Sequence, residues 1–145
     1  MNKLLTDFSA VLQSAPRRLV DIADGDAERK PAPGRWSKKE ILGHLIDSAA
    51  NNHQRFVRAQ FTQRLDFPAY EQESWVATQA YATESWADLV NLWLLYNRHL
   101  LHILRHLPEE SRAHEVSIGG KPPITVEAMA VSYLDHLNNH LSQIL

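Results

Sequence analysis

The stretch Trp36-Ser37-Lys38-Lys39-Glu40-Ile41-Leu42-Gly43-His44-Leu45-Ile46-Asp47-Ser48 decides the fold. Ser37 followed by Glu40 fits a capping box: the Ser hydroxyl takes the Glu40 amide and the Glu carboxylate reaches back to the Ser37 amide. Trp36 stands at N′ and Ile41 at N4, where the two can pack as a hydrophobic staple. A helix therefore starts at Ser37. Its apolar stripe of Ile41, Leu45, Ala49, Phe56 and Ala59 carries it to about Phe61 or Gln63. The preceding Lys30-Pro31-Ala32-Pro33-Gly34-Arg35 reads as loop.

Three more helices follow from the same periodicity. Leu4, Leu5, Phe8, Val11, Leu12, Leu19 and Ile22 predict one from about Leu4 to Ala23, kinked at Pro16 or restarted there with Ser14 as N-cap. Another starts near Thr83 or Ser85 and stops at Leu107, before Pro108, with a stripe of Leu89, Leu92, Trp93, Tyr96, Leu100, Ile103 and Leu107. The last starts at Thr125, a good N-cap, because Gly119-Gly120-Lys121-Pro122-Pro123 forbids helix just before it. Glu115–Ile118 can extend or pair but cannot make a sheet alone. The expected fold class is all-α: a four-helix bundle occupying residues 1–145 as one domain. The long connection between the second and third helices, carrying Pro68, permits a crossover between parallel helices, so the expected topology is up-down-down-up.

Composition removes several function classes. The chain has 145 residues, a formal net charge of −2 and interspersed charges, so it lacks the clustered basic footprint of a nucleic-acid binder. It has no cysteine, which excludes disulfides, thiolate nucleophiles and Cys-zinc sites; any thiol chemistry needs a thiol from outside. Asp7 comes too early for a secretory apolar region, and no apolar run approaches the ~20 residues of a membrane span. A cytoplasmic location, with no membrane partner, is the default expectation.

Histidine chemistry is the strongest functional signal. His136 and His140 form an H-x-x-x-H pair, and two imidazoles at i and i+4 share one helix face. At about 100° per residue, His140 falls just inside the edge of the last helix's apolar stripe and His136 a step outside it. His44 lies at the inner flank of the second helix. The three side chains can converge where two helices meet, completing an open metal site. A lone His on an apolar flank is more often a hydrogen-bonded core residue, and H-x-x-x-H arises readily in a chain with eight histidines. A rival set, His99, His102 and His106, lies on the far flank of the third helix and reads as a solvated face or a second metal site. His53 and His114 read as surface residues. Ser48, Asn51, Asn52 and Arg55 follow His44 down one side, and Asn52 near the middle of an apolar face needs partners.

The segments Pro31–Ser48 and Tyr133–Ile144, in this order and at this separation, resemble the DinB/YfiT-like family of four-helix-bundle metalloenzymes, over essentially the whole chain. In that family one His of the second helix and two of the fourth bind a divalent metal, usually nickel or zinc. The resemblance assigns those roles to His44, His136 and His140. It also implies a bundle, often dimeric; Trp75, Trp86 and Leu94–Leu95 are the candidate dimer face here, core packing being the plain alternative. Some members resemble thiol-dependent S-transferases that use low-molecular-weight thiols; others are hydrolases.

The expected function is therefore a metal-dependent enzyme acting on small molecules. Thiol transfer to an electrophile, with the metal keeping a cofactor thiol deprotonated, is the leading reading. Hydrolysis by metal-activated water is the alternative. A non-catalytic, stress-related bundle with a structural metal is the competing class. Arg55 is a candidate for holding an anionic group of substrate or thiol, and Tyr133 a candidate catalytic residue; packing roles compete for both. Asp47, Asp135 and Glu127 are candidate carboxylates behind the ligands, although phase turns Asp47 and Asp135 outward.

Overall fold

The computed structural model describes Met1–Leu145. In chain order the elements are α1 (Asn2–Val20), α2 (Asp24–Glu28), α3 (Lys38–Arg58), β1 (Arg64–Phe67), α4 (Gln72–Thr78), α5 (Trp86–Arg105), β2 (Glu115–Ile118), β3 (Ile124–Thr125) and α6 (Val126–Ile144), with 3₁₀ turns at Tyr81–Thr83 and Glu110–Ala113. The four long helices form the expected bundle.

The caps explain where these helices begin. Ser37 accepts from the Glu40 amide and the Glu40 side chain accepts from the Ser37 amide, so the capping box forms as read. Ser85 caps α5 on the Asp88 amide, and Thr125 caps α6 on the Ala128 amide. Such caps typically contribute about 1 kcal/mol each. Two boundary expectations need correction. The restart at Pro16 does not occur: α1 continues as one helix through it, and the Ser14 hydroxyl donates back to the Ala10 carbonyl instead of capping a new helix. Leu12, Ala15 and Leu19 are buried on either side of Pro16, and that packing outweighs the lost bond. α3 ends at Arg58, earlier than expected, because the chain turns out to pair: the Glu115 amide donates to the Gln63 carbonyl, and β1 follows.

End-to-end contacts set the helix directions. The Met1 ammonium meets Glu127 at 2.5 Å and Arg18 reaches the Leu145 carbonyl, so α1 and α6 run parallel. Lys38 at the start of α3 reaches the Ile144 carbonyl at the end of α6, so these two are antiparallel. The Trp86 indole donates to the Leu19 carbonyl and Arg105 reaches Ser9, which sets α5 antiparallel to α1. Asp24 binds both Lys39 and the Trp86 amide, so α3 and α5 start at the same end. The result is up-down-down-up, with α3 packed between α5 and α6.

The long α3–α5 connection is more than a crossover. β1 pairs in parallel with β2 (Arg64 opposite Glu115, Phe67 opposite Ile118), and β2 pairs antiparallel with β3. This small sheet ties the α3–α5 connection to the α5–α6 connection and lays both over the groove between α3 and α6. At the turn after β2, Gly119 has φ +60, and a Cβ there would stand 2.8 Å from the Ala69 Cβ. Glycine is thus required both by the turn and by the approach of the linker.

Candidate metal centre

His44, His136 and His140 each offer a ring nitrogen, and these three atoms lie within 4.8 Å of one another. No other group of three His, Asp or Glu side chains converges in this way. His44 projects from the second turn of α3 and is fully buried; His136 and His140 face it from α6, half-buried. The Nε2 atoms of His44 and His136 stand 3.0 Å apart. Two lone pairs at that distance repel, so a proton or a cation must lie between them. Two nitrogens on one tetrahedral zinc, each at about 2.0–2.1 Å, stand roughly 3.3 Å apart, so the pair fits such an ion with little adjustment.

The electrostatics favour the ligating form. Burial, then the charge of His136 and of His140, lowers the His44 pKa to about 4. Burial, then His140, lowers that of His136 to about 4. Both imidazoles are therefore neutral at neutral pH, the form a metal binds. The Nδ1 atom of His140 lies 3.1 Å from the Gln143 side-chain oxygen, which selects the tautomer with a free Nε2. The Trp36 ring covers His44 at a centroid distance of 5.1 Å. The Nδ1 atoms of His44 and His136 are buried without a protein partner.

Helical phase put His136 a step outside His140; in the structure both are half-buried and both rings pack against His44, at centroid distances of 5.0 and 4.8 Å. The candidate carboxylates do not all lie where phase put them. Asp47 is buried, not outward: it accepts from the Tyr81 hydroxyl and the Gln79 amide, each at 2.7 Å, while its second oxygen has no partner. Burial raises its pKa even against those two bonds. Phase missed it because α4 and the Tyr81 turn, rather than a long helix, cover that flank of α3. Gly43 makes this cover feasible, since a Cβ there would stand 2.2 Å from the Tyr81 ring. Asp135 is exposed as expected. Glu127 belongs to the Met1 ammonium at the start of α6, about 13 Å along the helix from His136, and is not behind the ligands.

A cleft of about 410 Å³ leads away from His136 between α3, α6 and the small sheet. The α3 wall is Ser48, Asn52 and Arg55, the polar ladder seen in the sequence, here buried. Asn52 finds its partner in the Ser48 carbonyl at 2.9 Å. Tyr133 lines the cleft but donates its hydroxyl to Asn97 at 2.6 Å and packs edge-on against Phe8 and Phe56, and burial raises its pKa. Sequence reasoning missed Tyr70, Gln72 and Lys121, which complete the wall. They lie in connections without periodicity, and no local signal marks them.

The rival histidines do not converge. His99 and His102 are exposed on α5 and His106 at its C-cap; the His106 ring meets the His102 carbonyl at 2.8 Å, and His99 packs edge-on against His53. His53, expected on the surface, is half-buried against the Tyr96 hydroxyl; His114 likewise meets the Ala59 carbonyl. Trp86, a candidate dimer residue, is a core side chain, whereas Trp75 and Leu95 remain exposed. No helix is long and apolar enough to cross a membrane.

Comparisons with known proteins agree with this architecture. A family model described as the DinB superfamily matches residues 7–144. YfiT from Bacillus subtilis, described as a probable metal-dependent hydrolase with an unusual four-helix bundle topology, superposes with a TM-score of 0.80 at 21% identity, over 97% of this chain and 83% of its own. A mycothiol-dependent maleylpyruvate isomerase superposes with a TM-score of 0.81 at 16% identity, over 99% of this chain but only 60% of its own. At these identities the likeness establishes the fold. No curated protein matches the chain.

Proposed function

The chain belongs to the DinB superfamily, and on that premise we propose that it is a metal-dependent enzyme whose divalent metal, nickel or zinc, is held by His44, His136 and His140. The observation that carries this reading is the convergence of three imidazoles, two of them held neutral by burial, with no fourth protein ligand, at the end of a cleft. A site closed by a fourth side chain would suit a structural ion; three ligands leave room for a reactant.

The leading reaction is transfer of a low-molecular-weight thiol to a small electrophile. Bound there, the metal would supply a Lewis acid that keeps a thiol deprotonated at neutral pH or, in the hydrolytic reading, acidifies a water. The protein's own contribution is arrangement. Gln143 fixes the His140 tautomer, Trp36 and the buried α3 flank keep bulk water from His44, and the cleft admits one small ligand. The thiol reading draws on the mycothiol-dependent neighbour and the absence of cysteine from this chain; the hydrolytic reading draws on YfiT.

The deciding experiment assays the metal-loaded protein with several small thiols against soluble electrophiles, and with esters and amides in the absence of thiol. Turnover that requires both thiol and metal is expected. Ester or amide hydrolysis with no thiol dependence would replace the transferase reading by the hydrolytic one. No turnover, with metal bound as tightly as ever, would leave the structural-metal class.

A further inference from the structure

Arg55 is the group in the cleft that the fold itself leaves unexplained. It lies on the same stripe of α3 as His44, Ser48 and Asn52, about 16 Å along the axis from His44. It is 7% exposed, yet takes part in none of the chain's five ion pairs. Its guanidinium lies over the Phe67 ring, 5.3 Å from the centroid. That contact is to an uncharged ring and supplies no anion. Of its N–H donors, Nη1 reaches the Asn52 oxygen only at 3.5 Å, and Nε is buried with no acceptor. A buried cation without an anion is costly, and arginine cannot escape the cost by losing its proton.

The surroundings point to what is missing. No Asp or Glu lines the cleft, and Lys121 at its wall adds a second positive charge. The acid Asp47 acts on Tyr70 but is held by Tyr81 and Gln79. β1 brings Phe67 onto the guanidinium, and the connection after it adds Tyr70, so the linker builds a wall around a forked donor that meets no carboxylate. A planar forked donor of this kind matches a carboxylate in bidentate fashion.

We propose that Arg55 is the carboxylate-binding residue of the cleft, so that the enzyme acts on a small molecule carrying a carboxylate on the order of 10–15 Å from the end that reaches the histidines. This rests on reading the three-histidine cluster as the reacting centre. The carboxylate can belong to the thiol or to the electrophile, and the chemistry of recognition is the same.

Calorimetric titration of the full chain without added metal tests the proposal. The thiol pair is glutathione and its diethyl ester; the electrophile pair is 4′-(chloromethyl)biphenyl-4-carboxylate and its methyl ester. In at least one pair the acid should bind the wild type tenfold or more tighter than the ester, and that pair identifies the source of the carboxylate. Arg55→Gln should abolish the preference while leaving ester binding and metal content unchanged. Equal binding of acid and ester in both pairs, or no binding of either acid at millimolar concentration, overturns the proposal even where Arg55→Gln fails to fold. So does a preference that survives in folded Arg55→Gln. Metal content of His136→Ala separates the two readings: if it is unchanged, the metal site is wrong, whatever Arg55 does.

Discussion

On α6, His136 and His140 stand at i and i+4; at the end of α5, His102 and the C-cap residue His106 do the same, with His99 one turn earlier. Spacing cannot separate the two sets. What differs is the neighbour. The α6 pair faces α3, which supplies His44, and Trp36 from the loop before α3 covers it, so three nitrogens converge within 4.8 Å and burial drives two of them neutral. The α5 set lies on the outer surface beside an exposed patch that includes Leu92 (46% exposed) and Leu95 (62%). Its nearest outside ring, His53, is already engaged with Tyr96. An H-x-x-x-H pair becomes a candidate site only when a second helix brings a third ligand and removes water.

The sharpest way to break this comparison is metal binding by untagged protein. His44→Ala and His136→Ala should each lower affinity by more than the roughly 10–100-fold that loss of an outer-sphere partner costs. His102→Ala and His106→Ala should leave it within about twofold. If the α5 variants lose metal and His136→Ala keeps it, the assignment moves to α5.

A second difference is how tightly each set is packed around. Gly43→Ala forces a methyl into the Tyr81 ring and should destabilise the fold by about 1–3 kcal/mol. Tyr81→Phe, which removes one of two donors to the buried Asp47, should cost about 1–3 kcal/mol. Thermal or urea unfolding measures both. An unchanged midpoint in each would mean that the linker does not press on α3 in solution.

The pH response sharpens the contrast further. Native His44 and His136 bind fewer protons than the unfolded chain between their ordinary value of 6.5 and about 4. Stability of the metal-free protein should therefore be full above that window and fall as pH drops through it. His136→Gln should flatten the slope, and His102→Gln should run parallel to the wild type. Parallel curves for both would remove the burial argument. The smallest effect belongs to His99→Ala, an exposed change expected to shift stability by no more than about 0.5 kcal/mol.

Much of this was legible in the chain. The Ser37 capping box, the four apolar stripes and the order of the two histidine segments predict the bundle, and the three converging residues are the ones the sequence singled out. These are local signals: caps and helical periodicity act within a few turns and need no knowledge of the partner. Arg55 was visible as the last of the polar residues that follow His44 down one side of the helix, and as a candidate for holding an anionic group. Its isolation from any carboxylate was not visible, because that depends on Phe67 and Tyr70 arriving from a linker with no periodicity.

By itself, then, the sequence determined the helices, their capped starts and the candidate ligands, since each follows from spacing along one segment. Only the tertiary structure decided which histidines meet, why Asp47 is buried, and what walls the cleft. Those outcomes depend on α3 packing against α6, on β1 pairing with β2 and on Tyr81 lying against Gly43, contacts between segments far apart in the chain. Burial, and with it pKa and ligand access, is set by whatever covers a residue: α6 covers His44, whereas Asp47 and the cleft are covered by the connections.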